Sequence, residues 1–228
     1  MIATDRLLFL HLHKSGGTFV NALLMQCVPS ARQIGYHLPY REVPAALRGL
    51  PILGTVRSPW AYYVSWYHFQ LTRPKRNILF QVCSDEGQLG FEETISNLLN
   101  LSRDDRRLAR LEAGLPTGYG KAGLNLTKAS VGELREWGQG FYSFLYQRLY
   151  AGADRPMILH AERLRDELRV ALAALGHLPN DCAERFLEES PPLNVSRHDD
   201  PASYFDRRLA ELVAQRDRTV IDRFGYSL

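Results

Sequence analysis

The sequence predicts an α/β fold of three layers, in which helices flank a central parallel sheet within one domain over residues 1–228. Three observations predict it. Short apolar runs of strand length alternate with helical patterns, and this alternation is typical of parallel strands joined by helical crossovers. A glycine-containing loop directly follows the first apolar run, as in a strand–loop–helix unit. The charged helical patterns of residues 74–137 interrupt the alternation, so we expect a mostly helical insert there.

Each predicted element has its own signal. The apolar run at 7–12 is a first strand, and "PILGTVR" at 51–57 is a second buried strand. Residues 18–27 carry apolar residues at helical spacing, and residues 58–73 begin with a serine that can cap a helix and a proline at its first position. The remaining expectations are a short strand within 31–37, a strand at 156–160, and helices at 141–152, 162–175, 179–189 and 202–224.

Composition and charge exclude several classes of protein. With 45% hydrophobic and 23% charged residues, the chain has the composition of an ordinary soluble globular protein. A formal net charge of +3 suits an anionic ligand but is too weak to indicate nucleic-acid binding. No apolar run has the length of a membrane span or of a secretory signal, so we expect neither. Nothing in the sequence indicates an oligomeric state.

The three cysteines are odd in number and widely spaced, and no pair has the spacing of a metal site. They therefore favour reduced thiols and a cytoplasmic location, with Cys27 packed in the core. The rest of the sequence offers no convincing cluster of metal ligands, so no metal is expected. The cysteines are Cys27, Cys83 and Cys182.

The stretch "LHLHKSGGTFV" at 10–20 has the ingredients of an anion-binding loop. A strand–loop–helix unit puts such a loop at the carboxyl end of a parallel strand, where open α/β sheets bind ligands. Glycines permit close approach of the backbone, and loop N–H groups together with the start of the helix form an anion pocket. A glycine turn with a solvated lysine is the alternative. The loop residues with this chemistry are Lys14, Ser15, Gly16, Gly17 and Thr18.

A second feature indicates a second anionic group. Arg57 ends the buried strand at 51–57, and Ser65 follows eight residues later, about two helical turns on. A guanidinium at a strand end and a hydroxyl on the adjoining helix can hold a phosphate, and arginine suits bidentate contact. By itself, Arg57 has the alternative of a surface or ion-paired residue.

Together these motifs resemble those of the sulfotransferase family, whose donor is 3′-phosphoadenosine 5′-phosphosulfate (PAPS). "HKSGGTF" resembles the family's 5′-phosphosulfate loop, and "VRSPWAYYVSWY" resembles its 3′-phosphate motif. "ILHAERLRDELRVALAALG" and "LNVSRHDDPASYF", with "VIDRFGYS", are similar to late segments of the family, the last two to its carbohydrate-type branch. The resemblance covers about 1–72 and 138–228. It implies a P-loop-like α/β fold in a soluble, bacterial-like member.

The resemblance also implies roles for individual residues. The loop from Lys14 to Thr18 would bind the 5′-phosphosulfate, and Arg57 with Ser65 would bind the 3′-phosphate. Phe19 falls where many members place an aromatic ring against the adenine, although packing in the helix core is nearly as good an interpretation. His13 stands where the family often has proline, so the entry to the loop differs.

His37, within "GYHLPY", lies 20 residues before Arg57, where many family members have a catalytic histidine. Sulfuryl transfer needs a base for the acceptor proton, and imidazole has a suitable pKa. The alternative is a histidine that orders the loop before Pro39. The family's late "RKG" motif is absent, so the residue that completes the 3′-phosphate pocket is open. The weak candidates are Asn194, Ser196, Arg197 and His198.

The sequence therefore predicts a PAPS-dependent sulfotransferase that needs no metal. One rival is a kinase or other phosphoryl transferase, but "G-x-x-x-x-G-K-[ST]" and a magnesium-ligand pattern are absent. The other rival is a non-catalytic nucleotide-binding protein. The carbohydrate-like C-terminal segment weakly favours a saccharide or glycoconjugate acceptor. The basic stretches "TRPKR" and "RDDRRLAR" could meet an anionic saccharide, but such runs are more often solvated helix faces.

Overall fold

The computed structural model describes residues 1–194 and 196–228. These residues divide into two units. Residues 120–125 join the first unit, so the predicted insert at 74–137 is not one structural block. The first unit comprises 1–57, 120–125 and the described residues of 147–195, and the second comprises 58–119, 126–146 and 196–228.

The first unit is built on a mixed sheet. The strands found in the described residues are β1 (Ile2–Ala3), β2 (Leu8–Leu10), β3 (Arg32–Gln33), β4 (Ile52–Val56) and β5 (Met157–His160). Their order is β3-β1-β2-β4-β5. β4 pairs in parallel with both β2 and β5, so the carboxyl ends of these three strands meet at one edge.

The expectation of a parallel sheet holds only for this centre, because β1 runs antiparallel to both of its neighbours. A tight turn over residues 4–7 produces the reversal. The Thr4 N–H donates to the carbonyl of Leu7 at 2.9 Å, and the Leu7 N–H donates to the Thr4 hydroxyl at 3.0 Å. The N-terminal residues therefore form a hairpin, whose first strand precedes the strand predicted at 7–12.

The predicted helices are largely present. Residues 18–27, 58–73, 141–152, 162–175 and 179–189 each contain an α-helix with slightly different ends. The α-helices of the described chain are α1 (Gly17–Cys27), α2 (Pro59–Leu71), α3 (Ile78–Cys83), α4 (Phe91–Leu99), α5 (Asp105–Gly114), α6 (Lys128–Trp137), α7 (Phe141–Tyr150), α8 (Leu164–Ala174), α9 (Asp181–Glu189), α10 (Arg207–Arg216) and α11 (Arg218–Phe224). Single 3₁₀ turns lie at Tyr40–Glu42, Ala45–Leu47, Leu101–Arg103, Ala161–Arg163 and Pro201–Tyr204.

The core of the first unit lies between one face of the sheet and helices α1, α8 and α9. Phe9 of β2, Leu53 of β4 and Leu159 of β5 face this core. Leu23 of α1 and Leu172 of α8 pack there and have no exposed surface. Burial of these side chains fixes α1 against the sheet, and with it the loop that precedes α1.

A disulfide joins Cys27 of α1 to Cys182 of α9. The expectation that both cysteines are reduced is therefore wrong for this pair. They lie 155 residues apart in the sequence but on adjacent helices, a proximity that spacing alone does not show. Cys83 remains a thiol, and burial raises its pKa to about 12. A disulfide is typical of an oxidising compartment, so the cysteines no longer support a cytoplasmic location.

The second unit corrects the prediction of one helix over 202–224. This segment contains a 3₁₀ turn, α10 and α11, and the two helices meet at Asp217. The Asp217 side chain is fully buried, with Tyr63 donating to one carboxyl oxygen at 2.5 Å and the Ser143 N–H donating to the other at 2.7 Å. Burial raises the pKa of Asp217 to about 6. The carboxyl group accepts from an N–H at the start of α7, which has no partner within that helix.

Among the described residues, no helix combines the length and apolar character needed to cross a membrane.

Candidate active site

The anion-binding loop predicted at 13–18 connects β2 to α1. Gly16 adopts a left-handed conformation with φ 80° and precedes α1 without a side-chain cap, and the first turn of α1 contains no acidic residue. The N–H groups that begin a helix have no partner within the helix, and the helix dipole favours negative charge beside them. The start of α1 is therefore suited to an anion.

Both glycines of the loop are required by their neighbours. A Cβ atom on Gly17 would lie 2.0 Å from Cδ2 of the His11 ring, which is far closer than any real contact. A Cβ atom on Gly16 would lie 2.7 Å from Cδ2 of Leu164, and its positive φ disfavours other residues. The imidazole of His11 thus packs directly on the loop backbone.

Lys14 and Arg57 bring two cations together at the carboxyl ends of β2 and β4. The Arg57 guanidinium donates to the Lys14 carbonyl at 3.3 Å, and the Lys14 ammonium donates to the carbonyl of Asn194 at 3.4 Å. Burial, and secondarily the charge of Arg57, lower the pKa of Lys14 to about 8. Two like charges in a partly buried place repel each other, and a bound anion would relieve that repulsion.

The other loop residues differ in their exposure. Ser15 is fully buried, and its hydroxyl donates to the carbonyl of His13 at 3.3 Å. Thr18 is half-buried in the first turn of α1. Phe19 is 5% exposed, packs edge-on against Phe186 with ring centroids 5.1 Å apart, and belongs to the core of the first unit. The contacts of Phe19 favour the alternative of core packing over adenine stacking.

His37 lies beside the loop, and one hydrogen bond determines which of its ring nitrogens carries the proton. Its Nδ1 atom is 2.6 Å from the carbonyl oxygen of His11. A carbonyl only accepts hydrogen bonds, so Nδ1 carries the proton and Nε2 is the basic nitrogen. Burial lowers the pKa of His37 to about 4, although the bond to His11 opposes this shift. The imidazole is therefore neutral at pH 7, as a general base must be.

Two further histidines surround His37. Its ring centroid lies 4.3 Å from that of His11 and 5.3 Å from that of His13. The Asn21 amide lies 3.2 Å from Nδ1 of His11, and burial lowers the pKa values of both His11 and His13 well below the usual range. In the part of the chain that is described, no three His, Cys, Asp or Glu side chains are arranged to hold a metal ion.

The hydroxyl of Tyr150 occupies the point where β2 and β4 stop pairing. The register of the two strands ends with Leu10 opposite Gly54. Beyond that pair, the Thr55 N–H donates to the Tyr150 hydroxyl at 2.9 Å, and this hydroxyl lies 3.0 Å from the Thr55 carbonyl oxygen. The same hydroxyl lies 3.4 Å from the Leu10 carbonyl oxygen, so it bridges the carboxyl ends of β2 and β4 where the loop to α1 begins.

The second unit contains Ser65 and three of the weak candidates. Ser65 is 2% exposed, and its hydroxyl lies 3.2 Å from that of Ser196, which also donates to the Ser65 carbonyl at 3.0 Å. Nδ1 of His198 lies 2.7 Å from the carbonyl of Asp199, and its ring is near His68. Arg197 is exposed. The fourth candidate, Asn194, belongs to the first unit through its contact with Lys14.

Three aromatic residues of α2, Tyr62, Tyr63 and Trp66, are fully buried and line no surface cleft. Arginines of one predicted basic stretch make ion pairs. Arg107 pairs with Asp104 at 2.5 Å, and Arg110 pairs with acidic neighbours as well. Arg107 and Arg110 of the stretch "RDDRRLAR" are therefore engaged in ion pairs within the second unit.

Sequence reasoning missed four residues that organise the site: His11, Asn21, Asn125 and Tyr150. His11 had a signal, because it stands just before a loop with glycines that its ring covers. Tyr150 and Asn125 lie far from the motifs in sequence, so no local spacing could identify them. No protein-family model and no curated protein matches the chain.

Proposed function

We propose that the protein is a PAPS-dependent sulfotransferase. One observation supports this above the others. Lys14, Arg57 and the uncapped start of α1 assemble a cationic loop at the carboxyl ends of two parallel strands, and His37, neutral and with Nε2 as its basic atom, is held beside that loop. An anion-gripping loop next to a neutral base suits transfer of an anionic group to a hydroxyl.

The loop residues bind the 5′-phosphosulfate in this proposal. The N–H groups of Gly16 and Gly17 hold the phosphate, and Lys14 interacts with the bridging oxygen between phosphate and sulfate. A pKa of about 8 leaves Lys14 mostly charged at pH 7, yet close enough to neutrality to transfer a proton. The 3′-phosphate is assigned to Arg57 and Ser65 by the sequence resemblance alone.

The chemical step is an in-line displacement. The acceptor oxygen forms a bond to sulfur while the bond from sulfur to the phosphate oxygen breaks. His37 Nε2 takes the proton of the acceptor hydroxyl, and Lys14 and the loop N–H groups stabilise the negative charge that grows on the departing oxygen. The products are the sulfated acceptor and 3′-phosphoadenosine 5′-phosphate (PAP), and no metal takes part.

The two alternative functions considered from the sequence would show different ligand preferences and activities. A kinase on the same kind of fold would prefer ATP with magnesium, and a non-catalytic binding protein would bind PAP without transfer. The pair of His37 and Lys14 favours an enzyme over a binding protein. We keep a saccharide or glycoconjugate as the preferred acceptor. The cytoplasmic location is no longer part of the proposal, because of the Cys27–Cys182 disulfide.

Incubation with sulfur-labelled PAPS and acceptors of several classes tests the activity. The panel holds glycans, phenols, lipids with hydroxyl groups, and amines. We expect a labelled product that Lys14→Ala abolishes and His37→Gln reduces by about 10²–10⁴-fold, while the exposed-surface control Lys75→Ala retains it. Transfer of phosphate from ATP, or PAP binding without transfer to any class, would contradict the proposal. If acceptors of every class except glycans became labelled, the proposed activity would stand and only the preference for a saccharide acceptor would be wrong.

A further inference from the structure

Residues 120–125, which the sequence pattern assigns to the insert, belong to the first unit and contact the segment that carries His37. Asn125 makes this contact. Its Oδ1 accepts from the Gly120 N–H at 2.7 Å, and its Nδ2 donates to the Gly120 carbonyl at 3.0 Å and to the carbonyl of Tyr36. Tyr36 directly precedes His37, so the same peptide plane carries the Tyr36 carbonyl and the His37 N–H.

His37 and Asn125, on the two sides of this contact, both have a strained backbone conformation. Only seven described non-glycine residues have a positive φ, and four of them are Lys14 at 55°, His37 at 50°, Asn125 at 52° and Asn194 at 57°. Asparagine and histidine adopt this conformation more often than most non-glycine residues do, but it is uncommon even for them. Such a conformation persists only where the surrounding contacts enforce it. His37 therefore needs external contacts on its backbone as well as on its ring.

Asn125 is itself firmly held. It is 7% exposed, and the guanidinium of Arg148, which is 8% exposed, donates to its carbonyl at 3.3 Å. Both polar atoms of the side-chain amide thus bond to backbone groups. The backbone of Asn125 is held by Arg148, which lies in α7. An amide is required here, because the side chain must accept from an N–H and donate to two carbonyls at once.

We propose that Asn125 is a positioning residue for the sulfuryl transfer, fixing the Tyr36–His37 peptide so that His37 keeps its left-handed backbone and its bond to the His11 carbonyl. The inference rests on the proposed role of His37 as the base. Asn125 holds the peptide from one side, and the His11 carbonyl holds the ring from the other. Loss of the Asn125 amide lets the peptide rotate, which releases Nδ1 from the His11 carbonyl.

The test compares two asparagines of the first unit that make the same kinds of bond. Asn125→Asp is nearly isosteric and keeps the acceptor, but it sets a carboxylate against two carbonyl oxygens. Asn180→Asp is the matched control, because Asn180 also accepts from a backbone N–H, that of Ala183 at 3.1 Å, and donates to a distant carbonyl, that of Cys27 at 2.9 Å. Asn125→Gly, which keeps the positive φ and removes the amide, serves if Asn125→Asp does not fold.

The first readout is ¹⁵N NMR of the His37 ring, assigned by its loss in His37→Gln. In the wild type and in Asn180→Asp, we expect a protonated Nδ1 at pH 7. In Asn125→Asp we expect a mixture of tautomers and a titration midpoint that moves up toward the usual value of about 6.5. An unchanged tautomer and midpoint in both Asn125 variants would overturn the proposal.

The second readout is turnover. We expect kcat in Asn125→Asp to fall on the order of ten- to a hundredfold, because the base is displaced, with the Kd for PAP within about twofold. Asn180→Asp should keep kcat, because aspartate also caps α9 through the Ala183 N–H. Equal kcat losses in the two variants would assign Asn125 a merely structural role. If the wild type transfers no sulfate, the proposed function fails, and the NMR comparison still decides whether Asn125 positions His37.

Discussion

Nδ1 of His37 donates to the main-chain carbonyl of His11 over 2.6 Å. This bond links the segment at 36–37 to the residue whose ring covers Gly17 of the loop between β2 and α1. It fixes which ring nitrogen is basic, and it does so with a backbone group that no point mutation removes. The bond therefore ties the geometry of the proposed base to the geometry of the loop.

The first prediction concerns His37. Replacement by glutamine should lower kcat by about 10²–10⁴-fold, the usual contribution of a general base, and leave PAP affinity within about twofold. Because burial lowers the pKa of His37 to about 4, the acid limb of the pH profile of kcat/KM should lie near pH 4. A limb near 6.5, or full activity in His37→Gln, would show that His37 is not the base.

The second prediction concerns stability and pH. Burial lowers the pKa values of His11, His13 and His37, so the unfolded chain binds more protons than the folded chain below about pH 6.5. The free energy of unfolding therefore falls as pH falls from 7 toward 4, and His37 alone accounts for about 2 kcal/mol at pH 5. Asp217 has the opposite sign, since its pKa is raised to about 6 and the folded chain holds its proton longer.

Urea unfolding at pH 5 and pH 7 measures this dependence. Three imidazoles oppose one carboxyl group, so the midpoint should be lower at pH 5, and His37→Gln should weaken the dependence. Equal or greater stability at pH 5 in the wild type would contradict the burial of these imidazoles in neutral form.

The third prediction concerns Tyr150. Replacement by phenylalanine keeps the ring but leaves the Thr55 N–H without the hydroxyl that accepts from it at 2.9 Å. A buried donor without a partner costs about 1–3 kcal/mol, so we expect a loss of that size in urea unfolding. Tyr146→Phe, a change on the same helix at a ring that packs on Phe224, is the comparison and should cost less. Equal losses in the free energy of unfolding for the two variants would mean that the hydrogen bond of the Tyr150 hydroxyl does not stabilise the ends of β2 and β4.

The fourth prediction concerns the cysteines. Labelling of the unfolded, unreduced protein should detect one thiol, Cys83, and reduction should raise the count to three. Cys182→Ser should lower the free energy of unfolding by roughly 2–5 kcal/mol, since the bond closes a long loop. Detection of three thiols before reduction would contradict the Cys27–Cys182 disulfide and support three reduced cysteines.

How much the sequence could predict depends on the range of each interaction. Two units are formed by residues that are close in sequence: β2, its loop and α1 around Lys14, and β4 with α2 around Arg57. Their apolar patterns, glycines and proline therefore indicate them correctly. The hairpin of β1 depends on a turn at Thr4, and β1 itself has only two residues, too few to give a strand pattern. The break at Asp217 depends on α7 and on Tyr63, because the carboxyl group is buried by tertiary contacts. Asn125 and the Cys27–Cys182 bond act across long stretches of sequence, where no periodicity carries information.

In the proposed function, the loop of Lys14 binds the nucleotide of PAPS. Calorimetric titration with PAP, ADP and magnesium ATP tests it most directly, because no acceptor is needed. We predict that PAP binds at least about tenfold more tightly than either, equivalent to about 1.4 kcal/mol, and that Lys14→Ala weakens PAP binding while Lys75→Ala does not. Binding of ADP or magnesium ATP that equals or exceeds that of PAP would contradict the account.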